Sequence, residues 1–267
     1  MKFSLSSSLL LVAASTIPVS SRSIPVQQPI EFKYFIEPGT SETLGHYDAR
    51  FFRGPVAYGQ HRTALGDLIR SYLTTFKALG VDTWLAHGTL LGWWWNGKIL
   101  PWDQDLDVQV SSSALAYLGT HHNRTEYSYT YGGKNKTYLL DINPFHDMRG
   151  RGRGLNVIDG RWIDMENGMF IDITGLMERD PVAAPSVWSC KNWHRYQMRE
   201  LWPMRQTVFE GVPATVPYSF NRILTSEYGV KSLVITDYQG RVACLLLPDH
   251  VLTAAIAISG IARLRNG

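Results

Sequence analysis

The sequence predicts an α+β fold, and three local patterns carry this prediction. Apolar residues recur at intervals of three and four over residues 65–79, which is one face of an amphipathic helix that Gly80 ends. Short apolar runs at Asp82–Ala86 and Leu106–Val110 predict buried strands, and the segment Leu90–Trp95 between them predicts one or two helical turns. The third pattern is a hairpin in the middle of the chain.

The hairpin is predicted from Asn167-Gly168, a strong signal for a two-residue turn between two strand-like segments. A two-residue turn at this position pairs Ile163 with Asp172. Because side chains alternate between the faces of a strand, Asp164 and Asp172 then point to opposite faces of the sheet. We therefore expect Asp164 to be solvated or structural rather than part of one site with Asp172.

The remaining patterns complete the outline. Strands are predicted at Thr137–Ile142 and Leu155–Asp159, a short helix is capped by Ser111–Ser113, and another helix lies around Ser219–Glu227. The chain divides into four predicted regions: a signal peptide at 1–21, an irregular N-terminal extension at 22–59, the main domain at 60–239 and an atypical, apolar tail at 240–267.

Composition narrows the class of protein. The 267 residues are 45% hydrophobic and 18% charged, which is typical of a globular domain with a core. The net charge of +3 comes without a Lys/Arg-rich run, so we expect no nucleic-acid partner.

The first residues predict entry into the secretory pathway. Lys2 precedes the apolar run Leu9–Ala14 and then small residues, with cleavage expected after Ser21. If the leader is not cleaved, it becomes a membrane anchor, although its apolar run is short for a bilayer. The sequons at Asn123 and Asn135 also favour exposure to the lumen of the Golgi or the extracellular space. The two cysteines, Cys190 and Cys244, can pair, but they cannot form a Cys-rich zinc site.

Three alternating carboxylates form the most informative motif. Asp103, Asp105 and Asp107 share one face of an extended backbone, and apolar neighbours place them against the core. Like charges repel, and a hard cation such as Mg²⁺ or Mn²⁺ relieves that repulsion with oxygen ligands. Asp172, between two isoleucines, is the best candidate for a further ligand because an unpaired charge there is costly. Asp105, Asp107 and Asp172 are thus the predicted metal ligands.

Other side chains are candidates for binding a phosphorylated substrate. Gly88-Thr89 follow a predicted strand, where a glycine lets backbone N–H groups approach a phosphate. Cationic groups that would stabilise a diphosphate follow later in the chain, although a solvated basic loop explains them equally well. These cationic candidates are Lys191, His194, Arg195 and Arg205. His87 is a candidate general base, or simply a hydrogen-bonded turn residue.

The sequence resembles the LicD/fukutin-related family. Gly88–Gly92 (GTLLG) and Pro101–Asp107 (PWDQDLD) resemble its two-part signature, and the resemblance covers roughly residues 60–239. Trp93–Gly97 and Asp107–Gln109 resemble the fungal branch linked to mannosylphosphorylation of cell-wall glycans. The resemblance implies a nucleotidyltransferase-like mixed β-sheet flanked by helices.

The same resemblance implies a function. The family transfers a phospho-linked group from a nucleotide-activated donor, here GDP-mannose or a CDP-linked donor, to a glycan acceptor. It implies that Asp105 and Asp107 are paired metal ligands, that Asp172 is the third carboxylate, and that Gly88-Thr89 approach the phosphate. Asp103 or His87 would take the proton of the attacking hydroxyl.

Two alternatives follow from the same residues. The chain could be a non-catalytic accessory protein that regulates a partner glycosyltransferase, which absence of metal binding would favour. It could also be a secreted glycan-binding module that uses Trp93–Trp95, which would bind sugar without metal or nucleotide.

Overall fold

The computed structural model describes residues 31–235 and the two short strands 237–238 and 241–242. Its α-helices are α1 (Tyr58–Ala78), α2 (His87–Asn96), α3 (Ser112–His121), α4 (Met198–Leu201) and α5 (Phe220–Tyr228). The strands of the first half are β1 (Thr83–Leu85), β2 (Asp107–Ser111), β3 (Thr125–Tyr131), β4 (Lys134–Ile142), β5 (Gly160–Asp164) and β6 (Phe170–Glu178). The later strands are β7 (Val187–Ser189), β8 (Arg195–Gln197), β9 (Arg205–Phe209), β10 (Val212–Val216), β11 (Asp237–Tyr238) and β12 (Arg241–Val242).

The fold is α+β with a mixed sheet flanked by helices, as predicted. The main sheet has the strand order β1-β2-β6-β5-β4-β3, and β7 and β8 extend it from β6. Strands β2 and β6 are parallel, whereas the other neighbours on this path are antiparallel. The parallel pair lies inside the sheet, with β1 on one side and β5 on the other. Each of β2 and β6 is therefore hydrogen-bonded to a neighbouring strand on both sides.

Helix α1 forms because its apolar residues recur on one face, and that face covers the sheet. Leu68, Ile69, Tyr72 and Phe76 are each fully buried in the main hydrophobic cluster. Trp162 of β5 packs in the same cluster, edge-to-face with Tyr72 at a distance of 6.1 Å between ring centroids. Burial of such side chains contributes about 1.5–3 kcal/mol each, so this face fixes α1 on the sheet.

Several predicted elements are confirmed, and most of their observed ends lie within one to five residues of the predicted ends. The amphipathic helix, the strands around 83 and 107, and the helix after Pro217 are all present as α1, β1, β2 and α5. Helix α3 begins as predicted, because the Ser111 hydroxyl accepts a hydrogen bond from the Ala114 N–H at 3.1 Å. The predicted leader, Cys244 and the predicted tail, apart from Arg241–Val242, lie outside the described residues. Within the described residues, no helix is both long enough and apolar enough to cross a membrane.

The predicted strand at Leu155–Asp159 is wrong, since β5 starts only at Gly160. The reason is that polar side chains fix this segment instead of a strand ladder. The Asn156 side-chain oxygen accepts from the Tyr34 N–H and from the Asn143 amide, while the Asn156 carbonyl accepts from the Lys191 ammonium. The hydrogen bonds of Asn156 therefore outweigh the apolar pattern of this segment.

The predicted register of the hairpin is also wrong, by two residues. Arg161, not Ile163, pairs with Asp172, because the turn is longer than two residues. The Asp164 carboxylate causes this: it accepts from the Glu166 N–H at 2.9 Å and from the Asn167 side chain at 2.9 Å. A shift of two keeps the alternation of faces, so Asp164 and Asp172 still point to opposite faces. Asp164 is buried and is paired with Lys136.

Candidate functional site

Two carboxylates meet where the parallel strands begin. Asp107 of β2 is the direct register partner of Asp172 of β6. Register partners in a parallel pair present their side chains on the same face, about 4.8 Å apart in backbone spacing. The backbone N–H of Asp172 donates to the Leu106 carbonyl at 3.0 Å, which extends the pairing to the residue before β2. The sheet itself therefore places two predicted ligands side by side.

The other two acids lie on the segment that leads into β2. Asp103 and Asp105 are half-buried, and one side-chain oxygen of Asp103 is fully buried without a hydrogen-bond partner among the described residues. The Asp103 carboxylate lies against Gly88, where an added Cβ would be 3.5 Å from both carboxylate oxygens. The structure thus brings the four predicted acids into one neighbourhood at the start of β2.

Burial and repulsion by neighbouring acids both raise the pKa values of Asp103, Asp107 and Asp172. Burial, followed by repulsion from Asp105, raises the pKa of Asp103 to about 7. Burial and then the charge of Asp105 also raise the pKa of Asp107 well above its ordinary value. Burial raises the pKa of Asp172 although the Arg161 guanidinium, which donates to it at 2.9 Å, opposes this shift. A divalent cation would reverse these shifts, so the carboxylates fit a hard metal ion chemically.

The start of α2 packs directly on this strand. The Thr89 hydroxyl accepts a hydrogen bond from the Asp107 N–H at 2.9 Å, and Thr89 is buried. Thr89 therefore links helix and strand through its side chain, and only its backbone remains for a phosphate. The N–H groups of the first turn of a helix have no partner within the helix, which makes this end suited to an anion.

His87 begins α2 with a positive φ of 49°, a conformation that non-glycine residues rarely adopt. Its Nδ1 lies 3.0 Å from a Glu227 carboxylate oxygen, and its ring centroid lies 4.2 Å from that of His194. Burial lowers the pKa of His87, but Glu227 and the nearby acids outweigh burial, so the pKa is raised. Burial and then His87 lower the pKa of His194.

These three residues form the group of His, Cys, Asp or Glu side chains that converges most tightly in the described part of the chain. One ligand atom from each of His87, His194 and Glu227 lies within 4.8 Å of the others. A set of two histidines and one glutamate is one that metal ions accept. The oxygens of Asp105, Asp107 and Asp172 do not converge this closely in the structure.

A polar cavity of about 740 Å³ opens beside this group, and we call it the cationic cavity. Its lining includes the basic or amide side chains of His87, Asn192, His194, Arg195 and Arg222, and the acids Asp107, Glu200 and Glu227. Two of the predicted cationic residues, His194 and Arg195, are thus brought together with the acids.

A second cavity of about 830 Å³ borders the acid segment at Asp103, and we call it the aromatic cavity. It reaches Asp103, and its walls come from the N-terminal part of α1, the segment before it and residues 99–104. The lining includes Thr43, Tyr47, Tyr58, His61, Arg62, Trp102 and Asp103.

The structure separates two other predicted residues from both cavities. Lys191 is buried, with its ammonium 2.7 Å from Asp159, 2.6 Å from the Phe145 carbonyl and 3.1 Å from the Asn156 carbonyl. The Arg205 guanidinium lies over the Tyr218 ring at 4.4 Å and donates to the Tyr218 carbonyl at 2.8 Å. These contacts hold both cations in the structure, and neither lines the cationic cavity.

The tryptophans of α2 are part of the core. Trp93, Trp94 and Trp95 are all buried, and each indole N–H donates to a partner, namely Thr207, Leu233 and Ser232 respectively. Buried rings with satisfied N–H groups cannot stack on a sugar. The tryptophans therefore do not form the surface that the alternative of a glycan-binding module requires.

Sequence reasoning did not identify Glu227, Tyr196 or Arg161 as site residues. The Tyr196 hydroxyl donates to Glu227 at 2.9 Å, and Arg161 bridges Asp172 and Glu37. The register of the hairpin could have identified Arg161, had the turn length been predicted correctly. Glu227 comes from α5, which carries no local signal that links it to His87.

The acids lie in a region that comparison with known proteins also recognises. Residues 80–219, which are more than half of the chain, match the family model described as LicD/FKTN/FKRP, nucleotidyltransferase domain. The chain is 34% identical over 171 residues to Mannosyltransferase regulator 4 and 35% identical over 164 residues to Mannosyltransferase regulator 14, both of Saccharomyces cerevisiae. It is 24% identical over 182 residues to Ribitol 5-phosphate transferase FKRP of Homo sapiens.

These alignments cover 61%, 58% and 62% of this chain, but only 14%, 17% and 31% of the respective relatives. The chain therefore corresponds to a minor part of each relative's length. The matched region contains Gly88, the four acids and most of the cationic cavity, whereas α1 precedes it. By its sequence and by the fold described above, the chain belongs to the LicD/FKTN/FKRP family.

Proposed function

We propose that this chain is a metal-dependent phosphotransferase that moves a phospho-linked group, mannose phosphate in the first instance, from a nucleotide-activated donor to a glycan. The observation that carries the proposal is the register pairing of Asp107 with Asp172, together with the position of Asp107 in the lining of a cavity that also contains Arg195, Arg222 and two histidines. Carboxylates beside a basic cavity are the arrangement that a metal-bound diphosphate requires.

The carboxylates of Asp105, Asp107 and Asp172 would hold Mg²⁺ or Mn²⁺. When bound, the metal ion would supply positive charge to the donor diphosphate and to the leaving nucleotide. The raised pKa values of Asp107 and Asp172 support a bound cation, because burial and neighbouring acids disfavour their charged forms without one. The His87, His194 and Glu227 group is the other place in the described chain that could hold a metal ion.

The residues of the chain have distinct roles in this proposal. The N–H groups of Gly88 and Thr89, at the start of α2, and the side chains of His194 and Arg195 would bind the donor phosphates. A glycan hydroxyl forms a new bond to the phosphorus that carries the sugar, and the bond from that phosphorus to the nucleoside monophosphate breaks. Asp103 would take the proton of the hydroxyl, since one of its oxygens has no partner.

The test is calorimetric titration of the chain with GDP-mannose, CDP-ribitol and CDP-choline, with and without Mn²⁺. We expect one donor to bind only when Mn²⁺ is present. Asp105→Asn should remove this binding, whereas Asp147→Asn, an exposed aspartate remote from both cavities, should not. A folded chain that binds every donor equally well without metal would contradict the proposal.

A regulatory role is the second candidate, because two relatives are called mannosyltransferase regulators. In that case the chain would act on a partner glycosyltransferase without turnover of its own. Donor binding that requires metal but yields no product with any glycan acceptor would favour this role.

We also propose that the chain works in the lumen of the secretory pathway, on the basis of its leader and its sequons. Asn135 is exposed on β4, and Asn123 is exposed before β3. Expression in a eukaryotic host followed by endoglycosidase digestion should reduce the apparent mass of the chain. An unchanged mass would count against lumenal residence.

A further inference from the structure

The aromatic cavity borders the same acid segment as the cationic cavity but at a different residue. Asp103 lines the aromatic cavity and Asp107 lines the cationic cavity, and the two residues lie on one short segment. The acid segment therefore contributes to two distinct cavities. A transfer between two substrates needs both reacting groups at the acids at once, and two cavities that share this segment allow one substrate to occupy each.

The two cavities differ in chemistry. The cationic cavity contains Arg195, Arg222 and two histidines, which suit a diphosphate. The basic side chains of the aromatic cavity are Arg62 and His61. Burial and then His46 lower the pKa of His61, which favours its neutral form, so Arg62 carries the fixed positive charge. Its volume of about 830 Å³ lies within the range of pockets that enclose small organic ligands. An uncharged ligand fits it better than a nucleotide does.

Aromatic rings with polar groups between them are suited to a sugar. The Tyr58 side chain at the rim is 93% exposed, and Trp102 is half-buried on the wall. Both rings are therefore accessible to a ligand in the cavity. Thr43, His61 and Gln104 supply hydrogen-bonding groups between the rings. A pyranose offers apolar C–H faces and several hydroxyls, and so complements both features.

We propose that the aromatic cavity binds the acceptor glycan, a neutral hexose chain, and presents one of its hydroxyls to Asp103. The inference rests on the proposed function for the identity of the acids, but the sugar site itself can be tested without turnover. Tyr58, His61 and Arg62 belong to α1 and lie before residue 80, outside the region that matches the family model. The preference for an acceptor would thus be set by α1 rather than by the matched region.

The experiment uses the full chain and α-linked mannobiose as the probe. Binding is measured by saturation-transfer NMR and by calorimetry, without nucleotide. Tyr58→Ala should weaken mannobiose binding about 3- to 10-fold, which is the scale of one aromatic contact. The matched control is Tyr131→Ala, which removes a 51% exposed tyrosine on the β3 hairpin and should leave binding within twofold.

Donor binding in Mn²⁺, measured on the same two variants, distinguishes this proposal from the proposed function. We expect both variants to bind the donor as the unmodified chain does. Mannobiose binding that Tyr58→Ala does not change, or an absence of mannobiose binding while the donor binds, would overturn the acceptor site and leave the proposed function intact. If the unmodified chain does not bind the donor but Tyr58→Ala weakens mannobiose binding as expected, only the proposed function would be overturned.

Discussion

Asp107 and Asp159 are both aspartates held inside the same fold, yet their surroundings are opposite. Asp159 has the Lys191 ammonium at 2.7 Å and accepts from the Gly175 N–H at 2.7 Å. Asp107 forms no ion pair with any basic side chain in the described residues, and three other acids surround it. The buried lysine beside Asp159 indicates a structural role for that aspartate, whereas the uncompensated Asp107 indicates a site that an external cation completes.

The sharpest test of this comparison is Asp107→Asn. The substitution removes a negative charge from a group of acids that repel one another, so the fold should be as stable as before or slightly more stable. Phosphotransfer should fall about 10⁴-fold, the scale of single members of a catalytic set. The measurements are a melting curve without metal and a turnover assay with Mn²⁺. A clear loss of stability would show that Asp107 is structural, like Asp159.

Lys191→Met is the matching change at the other aspartate. It leaves Asp159 buried without its cation, so the free energy of unfolding at pH 7 should fall by about 3–5 kcal/mol. Urea denaturation measures this loss. The double variant Lys191→Met with Asp159→Asn should recover much of the stability, because the uncompensated charge is gone. If the single variant were as stable as the unmodified chain, the ion pair would have no structural role.

His87 and Glu227 form an ion pair whose strength depends on pH, because His87 loses its charge as the pH rises. The folded chain holds the pKa of His87 above its ordinary value of 6.5, mainly through Glu227. The stabilisation is therefore fully present below pH 6.5 and is lost as pH rises through the raised pKa. Glu227→Gln should cost about 1.5–3 kcal/mol at pH 6 and less at pH 9, as measured by urea denaturation at both values. An equal cost at both pH values would contradict the ion pair.

The smallest effects are expected at two arginines that the sequence alone does not separate. Arg195 lines the cationic cavity, so Arg195→Ala should weaken donor binding about 10-fold, as the loss of one charge-assisted contact would. Arg205 is held against Tyr218, so Arg205→Ala should change donor affinity less than about twofold. Calorimetry on both variants compares them directly, and equal losses would show that the donor reaches beyond the cavity.

The sequence predicted the parts of the fold that local patterns determine. The period of α1, the strand that carries Asp107 and the Ser111 cap all depend on residues close together in the chain. The acids could be predicted for the same reason, since their alternation is itself local. The family resemblance, rather than any local pattern, supplied the mixed sheet.

Features that depend on distant residues could not be predicted in this way. The Asp164 turn sets the register of β5 against β6. The segment 155–159 does not form a strand, because it makes hydrogen bonds with Tyr34 and Lys191 instead. Strand β3 was missed because its apolar faces are only partly buried. Glu227 meets His87 only because α5 packs beside α2, which no spacing in the sequence indicates.

The parallel pairing of β2 with β6 determines when, during folding, the carboxylates of Asp107 and Asp172 come together. Between Asp107 and Asp172 the chain must form β3, β4 and β5 and then return to lie beside β2. Contacts so distant in the chain are slow to form, because a long loop must close before they are gained. Partly folded molecules would hold the two carboxylates apart, and so they would have no metal-binding pair. Tight binding of the cation would thus mark molecules whose central sheet is complete.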